Sequence, residues 1–382
     1  MTPRGLGALL GVLGLWAAAR VLGVSELQVA ATTLLALVLL ALLWVRVLPL
    51  RLEVERTVHP ALVPAGGTAV LELEIRNRGR LPTPTAWFQD HLPAALGDAP
   101  AVRLPVLLPG RHRALRLELT GAHRGRHQLG PAVVLIRDPF GLVQRRRTVV
   151  GTASVTVLPQ VWPLAPGVPL GGAVGTLATG PRRATPHGED IADIREYVQG
   201  DDLRAVHWPS TAHRGQLMVR QPEEASVPRA SVVLDLRSDR HRGHGPGASL
   251  EVAVATAASI VHHLDARQRG VTVLTEAQRR VPPPRPAAAW LPLLATLEAA
   301  AIDLPALLRQ VATSEMGQGS LAAVVTTPDP GELRALVRAG RGAASRLALV
   351  VDVGTWTGGG PDPAAVTAVA GLRAAGWRAV RV

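Results

Sequence analysis

Two apolar stretches stand back to back at the amino terminus, and they constrain this chain more than anything that follows. Gly5 to Val24 is apolar apart from Arg20, and Leu27 to Val45 carries no charge. At ~1.5 Å per residue, a helix of about 20 residues crosses the ~30 Å hydrocarbon core of a bilayer. Ser25 and Glu26 mark the break, so a transmembrane helical hairpin is expected over residues 1–50. Trp16 and Trp44 lie near helix ends, as an aromatic belt requires, and Arg20 lies where its stem can snorkel. Arg4 precedes the first stretch, and Arg46, Arg51 and Arg56 follow the second. The positive-inside rule then places both hairpin ends in the cytoplasm. The rival is a signal peptide, whose outline Arg4, the apolar run and Ala17-Ala18-Ala19 satisfy. Under either reading the second stretch is an anchor. The expected location is the inner (cytoplasmic) cell membrane, multi-pass in the hairpin reading, with the soluble domains in the cytoplasm.

The 382 residues exceed one ordinary domain and call for two or three. Hydrophobic residues make up 47% but aromatics only 3%, so the core must be built from Leu, Val and Ala. There is no Lys; the net charge of +12 rests on Arg. Ala, Gly, Pro and Arg are abundant throughout, the mark of a compositional bias rather than of a function. The arginines are spread out and no aromatics interleave with them, so no nucleic acid is expected as a partner; attraction to an anionic bilayer is. The absence of Cys excludes a disulfide framework and a thiolate metal site.

Over residues 51–160 the period changes to two. Val70 to Ile75 and Ala114 to Leu119 alternate apolar and polar, and Val133 to Ile136 and Ser154 to Val157 add short strands. Turn signals separate them at Pro64-Ala65-Gly66-Gly67, Asn77-Arg78-Gly79, Pro109-Gly110 and Asp138-Pro139-Phe140-Gly141. This spacing predicts a β-sandwich domain, either a structural spacer or a docking module.

Residues 161–228 begin as a Gly/Pro linker and then carry a dense polar run from His187 to Glu224. Ile194 to Val198 reads as a strand, Gly200-Asp201-Asp202 as a turn with a capping Asp, Leu203 to Trp208 as a short helix, and Leu217-Met218-Val219 as a second strand. Arg195, Arg204, Arg214 and Arg220 have carboxylate neighbours enough for an ion-pair network or docking surface. His187, His207 and the carboxylates allow a catalytic reading, yet no nucleophile, metal spacing or glycine cradle completes a mechanism.

This run resembles the signature of the "domain of unknown function 58" family. Arg195-Glu196-Tyr197, Gly200-Asp201-Asp202-Leu203-Arg204, His207-Trp208 and Leu217-Met218-Val219-Arg220 carry the resemblance, and Gly130-Pro131 and Asp138 to Leu142 extend it. Pro209 stands where that family usually has Lys. The resemblance implies a von Willebrand A-like domain and partnership with a MoxR-type AAA+ ATPase and a transglutaminase-like membrane protein. It implies no known biochemical activity.

Residues 229–382 alternate strand and helix. Ser231 to Leu234, Val271 to Leu274, Leu321 to Val325, Leu347 to Val351 and Arg378 to Val382 read as strands. Leu250 to Arg267, Trp290 to Ala300, Glu332 to Ala339 and Pro363 to Ala375 read as helices. A doubly wound parallel sheet follows, making the chain a multidomain α+β protein with a carboxyl-terminal α/β domain.

Ligands of such sheets bind beyond the carboxyl ends of the strands, where Asp235, Thr275, Thr326, Thr327 and Asp352 stand. Von Willebrand A domains hold Mg there with Asp-x-Ser-x-Ser. This chain has Asp235-Leu236-Arg237-Ser238-Asp239, with Arg237 at the first Ser position. Asp235, Asp239 and Asp329 are the candidate Mg ligands, and a degenerate cradle with Arg237 replacing the metal charge is the competing expectation. His241 and His244 have zinc-like spacing in a Gly-rich loop. The leading functional expectation is a non-enzymatic scaffold or adaptor, assisting assembly or maturation of cell-envelope complexes and needing no cofactor. A divalent-cation-dependent binding module using Asp235, and a hydrolase using His207 with neighbouring carboxylates, are the alternatives.

Overall fold

The structure is a computed structural model that describes residues 1–47, 50–164, 194–197, 206–220, 230–266, 270–277, 282–314, 319–358 and 360–382. The chain forms two compact units, Met1–Gln160 and Val161–Val382.

The first unit opens with α1 (Pro3–Leu22) and α2 (Ser25–Val47), both long and apolar enough to cross a membrane. Thr2 caps α1 by accepting from Gly5 N, and Gly23, at φ 68°, ends it in the left-handed conformation. The helices pack on each other, and Val38, Ala41 and Val45 of α2 pack on Leu142 and Val143.

Ten strands follow: β1 (Leu52–His59), β2 (Leu62–Val63), β3 (Thr68–Asn77), β4 (Ala86–Gln89), β5 (Val102–Leu104), β6 (His112–Thr120), β7 (Gly125–Leu129), β8 (Ala132–Arg137), β9 (Gln144–Val149) and β10 (Ala153–Val157). They form the sheets β1-β3-β6, β2-β10-β7 and β5-β4-β8-β9. Alternation in β3 turns Ala69, Leu71, Leu73 and Ile75 inward, where they join Phe88, Val134, Ile136 and Val155 in one core. Arg56, counted above among the charges flanking α2, is not a surface cation. Its guanidinium is buried, donating from Nε and Nη2 to Asp90 and from Nη1 to Gly151 O at 2.7 Å. The flanking charge at the end of α2 therefore rests on exposed Arg46, in its last turn, and Arg51.

In the second unit β11 (Ile194–Glu196) pairs antiparallel with β12 (Met218–Arg220), and α3 (Trp208–Arg214) precedes β12. The predicted helix over 203–208 is thus displaced: Val206 bridges to Val219, and the helix starts at Trp208 instead of ending there. Asp202, its predicted cap, lies outside the described residues. His207 does the capping through its ring nitrogen, with Pro209 in the first turn.

The rest alternates: β13 (Ala230–Leu234), α4 (Ser249–Asp265), β14 (Val271–Leu274), α5 (Ala287–Ala295), α6 (Leu304–Thr313), β15 (Ser320–Thr326), α7 (Pro330–Ala339), β16 (Ser345–Val351), α8 (Pro363–Ala374) and β17 (Arg378–Arg381). The five strands lie in the order β14-β13-β15-β16-β17, all parallel. β13 is buried at every position, because helices cover both faces of the sheet. Val232 and Leu234 face α4 and α5, and Val233 faces α6, α7 and α8. α5 ends at Ala295, short of the predicted Ala300, and α6 was not expected from the sequence.

Candidate functional site

The site is built where the sheet changes winding. β13 and β15 are neighbours, yet the chain leaving β13 enters α4 on one face and the chain leaving β15 enters α7 on the other. The two connections diverge and leave a crevice at the carboxyl ends of the strands, the usual ligand position in such sheets.

Asp235 follows β13 directly and is tied to the sheet by its N–H, which donates to Val324 O at 2.9 Å. Its side chain is fully buried. Thr326, the last residue of β15, donates to Asp235 Oδ2 from its hydroxyl at 2.6 Å and from its backbone N–H at 3.1 Å. Arg237 lies in the crevice. Its Nε donates to Asp235 Oδ1 and its Nη2 to Asp235 Oδ2, both at 2.9 Å. Its Nη1 donates to Glu332 Oε1.

Glu332 comes from the first turn of α7. Asp329 is the N-cap there, and Glu332 returns a hydrogen bond from its Oε2 to Asp329 N at 3.0 Å, closing a capping box. The same carboxylate that seals the helix start meets the guanidinium. Arg240 adds a looser contact, 3.6 Å from Glu332 and 3.7 Å from Asp329. His241 donates or accepts at both ring nitrogens, 2.9 Å from Asp235 O and 3.0 Å from Ser249 Oγ. It therefore pins the loop and is not a free zinc ligand, and His244 is exposed.

Burial alone would push the Asp235 carboxyl up. Hydrogen bonds from Arg237 and Thr326, with the charge of Arg237, outweigh it and hold the group below its ordinary value. Burial likewise pulls the Arg237 guanidinium down, and hydrogen bonds and charge from Asp235 and then Glu332 hold it above its ordinary value. Asp329 is lowered, chiefly by accepting the Glu332 backbone N–H.

These residues do not fit a divalent cation. Both Asp235 oxygens face a guanidinium, and a second cation beside it would meet direct repulsion. The candidate Mg ligands are not gathered either: Asp329 is spent on the α7 cap, and Asp239 is exposed beside Arg240. Among the described residues no three His, Cys, Asp or Glu side chains group to hold a metal. Asp352 caps a different turn, accepting from Gly354 N and Asp362 N.

The signature run is placed in part. Gly200, Asp201, Asp202, Arg204 and His187 lie outside the described residues. Arg195 and Arg220 lie on the paired strands β11 and β12, next to one another in register through Ile194 and Val219. Glu196 is exposed, and Tyr197 N donates to Leu217 O at 2.8 Å. The His207 Nδ1 is 2.8 Å from Ser210 Oγ, three residues on in the same turn. Trp208 is 67% exposed, and His207 is half-buried. Glu332 was missed as a site residue. Its signal was present in Asp329-Pro330-Gly331-Glu332, a cap followed three residues later by Glu.

No curated protein matches the chain. Among solved structures it is similar to the CARDB domain of the PF1109 protein from Pyrococcus furiosus, at 20% identity and a TM-score of 0.22, covering 29% of this chain and 88% of that one. It is also similar to the putative ApaA protein from Bordetella pertussis, at 14% identity and a TM-score of 0.22, covering 28% and 95%. Likenesses at these scores carry no argument about fold or function. The family described as "Protein of unknown function DUF58" matches residues 193–327, which span β11 to β15 and include Asp235, Arg237 and Thr326. The likeness to the DUF58 family lies in that segment of the chain.

Proposed function

We propose that this protein is a membrane-anchored, non-enzymatic scaffold whose α/β unit is a von Willebrand A-like recognition domain. One observation carries the reading. The crevice at the winding change, where such a fold would bind a cation or substrate, is filled by the protein's own Arg237 held between Asp235 and Glu332. A site closed by its own guanidinium can organise a surface but offers no free acid, base or metal to a substrate. The hydrolase alternative would have only the Nε2 of His207 to work with, since Nδ1 is engaged in capping α3.

The anchor is the α1–α2 hairpin crossing the bilayer, with its ends in the cytoplasm. Its large apolar side chains point outward: Leu10, Leu13, Leu39, Leu40 and Leu43 are each more than half exposed. That arrangement suits lipid and not water. α1 is also tied to the β-rich part of its own unit, since Thr2 Oγ1 donates to Gly141 O at 2.6 Å. This supports a retained helix over a cleaved signal peptide. The three sheets on one core suit a β-sandwich that positions the scaffold. The partners we infer, from the family resemblance, are a MoxR-type AAA+ ATPase and a transglutaminase-like membrane protein.

Affinity purification from native membranes tests the reading, comparing the full chain with one lacking residues 229–382. The expected result is loss of the ATPase from the shorter bait. An unchanged set of partners, or turnover of a small molecule by the purified protein, would overturn it.

A further inference from the structure

One end of the three-sheet part meets the base of the hairpin through its 138–143 loop. β8 and β9 are joined there by residues 138–143, which pack on α2. Ala86, at the start of β4, pairs with Leu104 at the end of β5 and with Ile136 at the end of β8. The connections 78–85 and 105–111 therefore lie at that same end. β1 starts there too, with Arg51 O accepting from Arg78 N at 2.8 Å.

The 138–143 loop is pinned to the helices. A Cβ on Gly5 would stand 2.1 Å from Leu142 O, so α1 and the 138–143 loop are in close contact. Arg145 Nη1 donates to Arg46 O at 3.1 Å and so satisfies the carboxyl end of α2.

The loop tips are apolar and turned outward. Leu81, Val106, Leu108 and Phe140 are 52%, 54%, 55% and 58% exposed. Their backbones are held in place. Asn77 Nδ2 donates to Leu81 O and Leu107 O at 2.9 Å, and the Asp138 carboxylate accepts from Phe140 N and Val143 N. Arg46, Arg51, Arg80 and Arg111 are exposed around them. The neighbouring acids are engaged: Glu53 accepts from Arg78 at 2.6 Å, and Asp138 is buried.

We propose that this end of the unit is a lipid-contact surface, with Leu81, Val106, Leu108 and Phe140 seated among the headgroups of the bilayer that the hairpin crosses and the arginines holding anionic phospholipids. Apolar tips ringed by guanidinium groups are what an anionic membrane surface binds. The attachment of the 138–143 loop to the hairpin base, with the other two loops at the same end of the sheets, puts the tips at headgroup depth. The surface would hold the β-rich unit against the membrane instead of letting it swing on a tether. This inference rests on the membrane-spanning reading of α1 and α2.

The chain has no Cys, so a single introduced thiol is a unique probe. The full-length variants Phe140→Cys, Leu108→Cys, Leu13→Cys and Val150→Cys would each carry an environment-sensitive fluorophore. Val150 is 86% exposed at the far end of β9 and serves as the control. Each variant is reconstituted in phosphatidylcholine vesicles with or without phosphatidylglycerol, containing lipids with a nitroxide either high or deep on the acyl chain.

The expected result is loss of most emission at positions 140 and 108 to the shallow nitroxide when phosphatidylglycerol is present, a smaller loss without it, and none at position 150. Quenching at position 13 by the deep nitroxide, with none at 140 and 108, would overturn this proposal alone. No quenching at position 13 would overturn the membrane-spanning reading and this proposal with it. Equal quenching with and without phosphatidylglycerol would overturn the assignment to anionic lipid. Positions 140 and 108 shielded from both nitroxide lipid and aqueous iodide in native membranes would give the surface to a protein partner and overturn the proposal.

Discussion

Arg237 grips Asp235 through two parallel N–H donors, Nε to Oδ1 and Nη2 to Oδ2, each at 2.9 Å and only two residues apart in sequence. The fork-on-fork geometry is the strongest way a side chain can pair with a carboxylate. It works here because Glu332 takes the remaining Nη1, so neither charge is left unpaired in the interior.

Removing the guanidinium leaves two buried carboxylates facing one another. Arg237→Met is expected to cost the α/β unit about 3–5 kcal/mol, the usual penalty for breaking a buried pair. Arg237→Lys should recover little, because a point charge cannot span Asp235 and Glu332 as a planar fork does. Urea melts of the full chain in detergent check both; a loss under about 1 kcal/mol, the ordinary worth of an exposed pair, would contradict the network.

Under the von Willebrand A-like reading proposed above, Arg237→Ser puts a hydroxyl in place of the cation beside Asp235 and Thr326. The variant is expected to gain a Mg²⁺-dependent rise in melting temperature that the natural sequence lacks. Thermal unfolding with and without Mg²⁺ reads this directly. No rise would show that the oxygens left behind do not converge on an ion.

The pH dependence follows from Asp235. Its folded pKa lies below its ordinary value of 3.8, so the stability it contributes is complete above that value and is lost as pH falls through the folded pKa. Stability of the α/β unit should therefore fall in the acid range below about pH 4. Asp235→Asn should start less stable and show a flatter acid limb. Identical acid limbs in the two proteins would remove Asp235 from the account.

In the first unit, Arg56 and Asp90 form a second buried pair, and Gly130 and Gly151 make room for it. Gly130 has φ +80°, and a Cβ there would stand 2.6 Å from Gly151 O and 2.9 Å from the Arg56 guanidinium carbon. Gly130→Ala is expected to cost at least about 1–2 kcal/mol from the left-handed backbone alone. Arg56→Met should cost about 3–5 kcal/mol by stranding Asp90. Denaturant melts of the two variants should show that order, and the reverse order would place the constraint in the turn and not in the ion pair.

Much of the fold was legible because its signals are local. β14 covers Val271–Leu274, as its apolar run indicates, and α8 ends at Ala374 within a residue of the periodic reading. β9 was not legible. Its sequence, Gln-Arg-Arg-Arg-Thr-Val, has no apolar alternation, and it becomes a strand because all six residues pair with β8. α6 was missed although Asp303 caps it, for its apolar stripe is short and follows an irregular stretch. α3 was misplaced because Asp202 has the better capping chemistry, while the Val206–Val219 bridge keeps the chain extended to His207.

What the sequence by itself determined is where the apolar matter goes: two bilayer-length helices, strands with alternating inner faces, and continuous aliphatic strands that need cover on both sides. It also put a guanidinium, Arg237, two residues beyond the aspartate that ends a buried strand. Only the tertiary structure decided what that guanidinium does, since Glu332 lies 95 residues away and reaches it through the capping of α7. The same holds for Arg56, which reads as a membrane-flanking charge and is buried against Asp90, 34 residues on. Periodicity is written in neighbouring residues, whereas the pairing of a buried charge depends on which distant element the fold brings beside it.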